Sequence, residues 1–285
     1  MASAVCAWRR LGIIPVTAGG AVILALAGCA GGSAPQVETP FAFETRSDVA
    51  VDHKPWDDFL ATYVAPGPDG SARVAYGAVT DVDRRALAFY VARQSRVRVD
   101  ALSRTEQFAF WANLHNAAVV DAVLSEWPVD RFDALDLGQP WFRGPERARR
   151  IVQRGRLYAF DDIRERVLRP LFRDARLHFA LSLAAIGDPD LGPRAFSGED
   201  LDAQLTDAAR RFVNHPRGAA LRADGAVAVS ALFFRHLDDF GGDDAGLRAW
   251  LARYAAGPLA TRLAAGATLT RLSWDGRINL LIPTR

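Results

Sequence analysis

Cysteine is nearly absent from this 285-residue chain: there are two, Cys6 and Cys29, both within the first thirty residues. The remainder therefore holds no disulfide, no cysteine zinc site and no cysteine nucleophile. Lysine is scarcer still, with Lys54 the only one, so the positive charge is carried by arginine. That bias reflects codon composition more than a binding surface. No basic block and no large net charge occur, since 35 basic side chains face 33 acidic ones. Nucleic acid is a poor partner for such a chain, because phosphate contacts dominate that affinity. A Gly-rich strand-to-helix loop is also missing, which leaves nucleotide binding without support. There is no internal repeat, and no linker interrupts residues 51–285.

The first thirty residues read as an address. Arg9 and Arg10 precede an apolar, small-residue run from Leu11 to Ala27, and Leu26-Ala27-Gly28-Cys29 closes it. This resembles the bacterial lipoprotein signal, which is cut before a cysteine that is then lipidated. The resemblance implies a signal peptide over 1–28, lipid on Cys29 and membrane attachment through it. Ala30 follows the cysteine with no aspartate nearby, which by the same resemblance implies the outer membrane, facing the periplasm. A single membrane-spanning anchor is the weaker reading, because Pro15 and several glycines interrupt the run. Removal of Arg9 and Arg10 leaves 33 basic against 33 acidic groups. Residues 29–50, rich in Gly, Ser, Pro and Thr, read as a flexible tether.

Residues 51–285 read as one α+β domain, mostly helical, with a small sheet or hairpins. Helices are expected from Trp56, over Asp83–Arg93, over Thr105–Leu124 and from Asp161 to a stop at Pro170. Further ones are expected over Leu177–Ile186, Asp200–Phe212, Ala231–Phe240, Gly246–Ala255 and Leu259–Ala264. Asp224-Gly225 reads as a two-residue hairpin turn, and Leu269–Trp274 and Ile278–Ile282 as short strands. Ser103 and Glu106 give capping-box spacing before the third helix, as Asp162 and Glu165 do for the fourth. In the third helix, Phe108, Trp111, Ala112, His115, Ala118, Val119, Ala122 and Val123 share one face, flanked by Asn113 and Asn116. Buried amides and an imidazole must be paired, since each unsatisfied group costs about 1–3 kcal/mol. Asn113, His115, Asn116 and His178 are thus a candidate polar network that fixes helix packing. The arginines between Arg143 and Arg156 fit either an anion or lipid-headgroup site or a solvated loop and hairpin. The solvated reading is the favoured one.

Several segments together resemble a known family. Phe110-Trp-Ala-Asn-Leu-His-Asn-Ala117 is similar to its Phe/Tyr-Trp-x-Asn-Leu-Tyr/His-Asn-Ala signature. Trp127-Pro-Val129, Phe160-Asp-Asp-Ile163, Leu168-Arg-Pro170, His178-Phe-Ala-Leu181, Asp239-Phe-Gly-Gly242 and Trp274 to Asn279 follow in order. The family is domain of unknown function 547, and the resemblance spans about Val51 to Asn279. It implies a fold and hands on no settled activity. Where the family reads Asn-Cys-Ala-Ser and then Gly-Cys-Pro, this chain has Ser182-Leu183-Ala184-Ala185 and Gly187-Asp188-Pro189. Where it often has Glu-His, the chain has Arg164-Glu165.

The remaining chemistry can be weighed by residue type. A serine hydrolase would use Ser182 beside His178, four residues apart on a helix face, with Asp188 or His115 in support. No Gly-x-Ser-x-Gly elbow surrounds Ser182, and an apolar helix offers no oxyanion hole. For metal, His53, His115, His178, His215 and His236 are scattered without paired-ligand spacing. His236 with Asp238 and Asp239 is the tightest grouping, and a satisfied histidine is the favoured reading there. No cofactor is implied. The leading expectation is a lipid-anchored envelope protein whose domain is a non-catalytic binding or structural module. The alternative is a hydrolase-like enzyme using the His115, His178, Ser182 and Asp188 neighbourhood.

Overall fold

The computed structural model describes residues 47–140 and 142–282. The leader, Cys29 and nearly all of the tether lie outside the described residues. No helix among the described residues is long and apolar enough to cross a membrane.

The chain folds as an α+β domain around one buried helix. The first helix, α1 (Lys54–Tyr63), buries Trp56, Phe59, Leu60 and Tyr63, the spacing the sequence offers. An antiparallel hairpin follows, β1 (Val64–Pro66) on β2 (Ala72–Val74). The next helix, α2 (Asp81–Arg93), is capped by Thr80 and buries Leu87 and Tyr90. Then comes α3 (Arg104–Ser125), capped by the Ser103 hydroxyl, which accepts the Glu106 N–H at 3.3 Å. Eighteen of its residues are buried, Asn113, His115 and Asn116 among them. The expected single apolar face is therefore too narrow: neighbours cover α3 on every side, which its small apolar residues permit.

Only half of the expected capping box forms at Ser103. The Glu106 carboxylate instead accepts Val51 N–H at 3.0 Å and Gly198 N–H at 2.8 Å. Two loop N–H groups find their acceptor in this one carboxylate, which bridges the loops rather than closing on its own turn.

Beyond α3, β3 (Arg149–Gln153) and β4 (Arg156–Ala159) form a second antiparallel hairpin. A helical run over 160–172 follows: α4 (Phe160–Asp162), π-helical turns at Ile163–Leu168, and α5 (Arg169–Phe172). Its cap differs from expectation, because Asp162 accepts the Ala159 N–H at 2.9 Å rather than pairing with Glu165. Pro170 does not stop the run either. The wide turns pass the Arg169 N–H to the Arg164 carbonyl, and the chain needs no donor from the proline beyond.

The largest departure is the expected Leu177–Ile186 helix. Only α6 (Leu177–Ala180) is helical; Leu181 is extended and Ala184 takes a positive φ of 56°. The second half contains α7 (Leu201–Val213), β5 (Ala219–Leu221), β6 (Val227–Ser230), α8 (Ala231–Arg235), α9 (Asp244–Ala252), α10 (Gly257–Ala264) and β7 (Leu269–Leu272). Strand β6 is central, antiparallel to β5 and parallel to β7. The Asp224-Gly225 turn spans one residue more than expected. The Arg222 N–H bonds the Ala226 carbonyl at 2.9 Å, and Gly225 has a φ of 87°. The expected Ala231–Phe240 helix breaks at His236, with Leu237–Phe240 continuing as a 3-10 turn. Residues 278–282 form only isolated bridges, Ile278 with Ala185 and Leu280 with Val74.

Two apolar cores result. One surrounds α3; the other is aromatic, with Phe179, Phe212, Phe233, Phe240 and Trp250. Helix α6 joins them, sending Leu177 and Ala180 into the first and Phe179 into the second.

Candidate functional site

The polar side chains of α3 act as clamps on irregular backbone. Asn113 donates to the Phe196 carbonyl at 2.8 Å and accepts the Phe196 N–H at 2.9 Å. Asn116 donates to the Ala180 carbonyl at 2.8 Å, while its oxygen accepts the Ser182 N–H at 3.0 Å and faces His115 Nδ1 at 3.1 Å. An amide oxygen only accepts, so His115 carries its proton on Nδ1. Its Nε2 is buried without a partner, and burial pushes the ring pKa down to about 3. The four expected network members thus fall into three groups: Asn113 with Phe196, His115 with Asn116, and His178 elsewhere.

His178 sits in α6 between the two cores, fully buried. Its Nε2 lies 2.7 Å from Asp239 Oδ2, and Arg169 forks onto the same carboxylate at 2.7 and 3.0 Å. Arg169 also holds Glu165 at 2.5 Å. Bonds from His178 and Arg169 keep the Asp239 carboxyl well below the usual carboxylate range. Burial lowers His178 to about 4, so the pair at neutral pH is a neutral imidazole donating Nε2–H to an ionised carboxylate. The His236 ring stacks on His178 with centroids 4.1 Å apart and planes 20° apart. Burial, His178 and the charges of Arg164, Arg169 and Arg235 lower His236 to about 2.

His178, His236 and Asp239 bring their ligating atoms within 4.8 Å of one another. Two of the sequence candidates for metal, His236 and Asp239, are in this group; Asp238 is exposed and outside it. Stacked imidazoles send their lone pairs side by side rather than to one point, and Arg169 already occupies both Asp239 oxygens. As arranged, these residues fit an ion pair buttressed by a ring stack better than a tetrahedral metal centre.

Ser182 and His178 do not share a helix face, because α6 ends between them. The Ser182 hydroxyl accepts the Ala184 N–H at 3.3 Å. The Asp188 carboxylate is committed to other groups, accepting the Leu183 N–H at 3.2 Å and the Trp274 indole N–H at 3.1 Å. Burial raises its pKa, with Arg164 and the indole opposing. Asp188 and Leu183 line a cleft of about 290 Å³ with Phe132, Trp274 and the charged Asp133, Glu146, Arg147, Asp161 and Arg235. Behind it Arg164, buried, pairs with Asp161 at 3.3 Å and has no partner for its Nε. Its charge reaches His115, His178, Asp188 and His236 alike.

Gly187 precedes Asp188 and packs against the Trp274 segment. A side chain there would meet Asp275 N at 2.6 Å and the Trp274 ring at 2.8 Å, so the Trp274 segment packs directly on its backbone. Ser182, Leu183, Gly187 and Asp188 all lie between α6 and α7, and Asn116 of α3 holds the Ser182 N–H. Residues 99–213 match the family described as protein of unknown function, DUF547. The DUF547 stretch begins just before α3 and ends with α7, so it contains the clamps, His178 and Asp188. His236, Asp239 and Trp274 lie beyond it. No curated protein and no solved structure matches the chain.

Arg164, Glu165 and Arg169 were not legible as site residues. Arginine is frequent throughout this chain, and only the π-helical turns bring these three to the histidine pair and the cleft. The Arg164-Glu165 departure from the family pattern was the one available signal.

Proposed function

We propose that this is a lipid-anchored envelope protein, held through Cys29 in the outer membrane and facing the periplasm. Its domain binds a ligand or supports envelope structure, without catalysis. The Leu26-Ala27-Gly28-Cys29 box supports the anchor. The observation that carries the non-catalytic reading is the commitment of the candidate groups. His178 is tied to an Arg169-held carboxylate, and the Ser182 hydroxyl is turned to its own backbone. A general base must reach the nucleophile it activates, and these two are held by separate partners.

The cleft at Asp188 supports binding. Leu183 and Asp188, the positions where the family resemblance implies cysteine, both line it. Its mixed lining, with Arg147 and Arg235 beside the acids Asp133, Glu146 and Asp161 and with Trp274 as an aromatic member, suits a small ligand carrying both signs of charge. Two measurements test the reading. Cys29→Ser should abolish acylation and release the protein from the membrane fraction; an unchanged, still acylated membrane pool would sink the anchor. His178→Ala should lower the melting temperature; loss of a hydrolytic activity with an intact melting temperature would establish the hydrolase-like alternative.

A further inference from the structure

The outer face of the β3–β4 hairpin combines two features that a solvated hairpin does not need. Val152 and Leu157 are direct cross-strand partners, and both are exposed, at 44% and 54%. A sheet face turned to water ordinarily carries polar side chains. The opposite face is packed, with Ile151, Gln153 and Tyr158 buried. Gln153 donates to the Val97 carbonyl at 2.7 Å, and the Arg154 N–H to the Ser95 carbonyl at 3.1 Å, so the hairpin cannot turn its apolar pair inward.

In sequence, the charge around that pair is almost all of one sign, although the Asp121 carboxylate acts on Arg150. Residues 143–156 contain six arginines and one acid, Glu146. Arg154 pairs with Asp100 at 3.0 Å. Arg149 and Arg150 are exposed, and among the described residues no carboxylate lies within 4.0 Å of either; Arg156 is the cross-strand partner of Gln153 and starts on the packed side. An apolar pair with unpaired guanidinium groups beside it matches the layered chemistry of an anionic bilayer, hydrocarbon beneath phosphate. A polyanion such as nucleic acid would satisfy the arginines but leave Val152 and Leu157 in water.

We propose that this face docks on an anionic phospholipid surface, Val152 and Leu157 entering the interfacial layer while Arg149 and Arg150 pair with lipid phosphates. The Cys29 lipid would keep the domain near a membrane; the hairpin would fix which face it presents. Each arginine near an anionic surface contributes roughly fivefold in affinity, so the docking weakens steeply with salt.

The test uses the full-length chain with vesicles of phosphatidylcholine alone and of phosphatidylcholine mixed with phosphatidylglycerol. Flotation reads attachment, and hydrogen exchange of residues 149–157 reads docking. Exchange should slow by roughly tenfold or more on the phosphatidylglycerol vesicles alone. The slowing should vanish in the double variant Arg149→Gln, Arg150→Gln and in Val152→Ser, Leu157→Ser. Melting temperatures of both variants should match the parent, since these side chains are exposed. Equal exchange on both vesicle types, or protection by duplex DNA instead of vesicles, would overturn the docking. Failure to float on phosphatidylcholine would overturn the lipid anchor alone, because protection on the charged vesicles still decides the docking.

Discussion

Asn116 shows how a single side chain decides the conformation of a segment it does not belong to. Its amide holds the Ala180 carbonyl, the Ser182 N–H and His115 Nδ1–H. Asn116→Ala would leave all three buried groups without that partner, and each such loss costs about 1–3 kcal/mol. A drop of about 3 kcal/mol or more in urea denaturation is expected; a change below about 1 kcal/mol would mean water replaces the amide. That Asn113 and Asn116 must be paired was readable from their place on an apolar helix. Their partners were not, because both are backbone groups more than sixty positions away, and hydropathy carries no information about them.

At the scale of elements, the errors share one cause. Leu177–Ile186 is apolar enough for a buried helix, yet buried irregular backbone is tolerated when a neighbour satisfies it. Here Asn116 and Asp188 do so for Ser182 and Leu183. Pattern alone cannot separate a buried helix from a clamped loop. The β5–β6 hairpin, by contrast, announces itself through Asp224-Gly225, where Gly225 takes a positive φ. The Ile186–Asp188 segment makes a sharp prediction. Gly187→Ala should push the Trp274 segment away, since its Cβ would meet Asp275 backbone at 2.6 Å. A loss of about 1–3 kcal/mol is expected, with weaker quenching of Trp274 by its surroundings. Full stability in that variant would show the segment to be more yielding than its packing implies.

For the whole molecule, burial holds four histidines uncharged. His53 and His178 lie at about 4, His115 at about 3 and His236 at about 2, desolvation being the largest cause in each. Unfolding returns each ring to about 6.5, so between pH 6.5 and these values the unfolded chain binds more protons. Their contribution is whole above pH 6.5 and is lost as pH falls toward 4. Asp239, whose folded pKa is depressed, adds a further loss below about pH 4. The melting temperature should therefore fall steadily from pH 7 to 4.5, and a flat profile would contradict neutral buried rings. The single α+β fold was readable from the alternation of helical periods with turn residues. The joining of two cores through α6 was not, because it depends on Phe179 pointing away from its neighbours Leu177 and Ala180.

His178 is where those scales meet, donating to Asp239 at the seam between the cores. A hydrogen bond to a charged group contributes about 1.5–3 kcal/mol, and each kcal/mol shifts melting by roughly 2–4 °C in a domain of this size. The most direct test of a structural, non-catalytic His178 is the melting temperature of His178→Ala at neutral pH. It should lie several degrees below that of the parent chain; a melting temperature equal to the parent's would contradict the account.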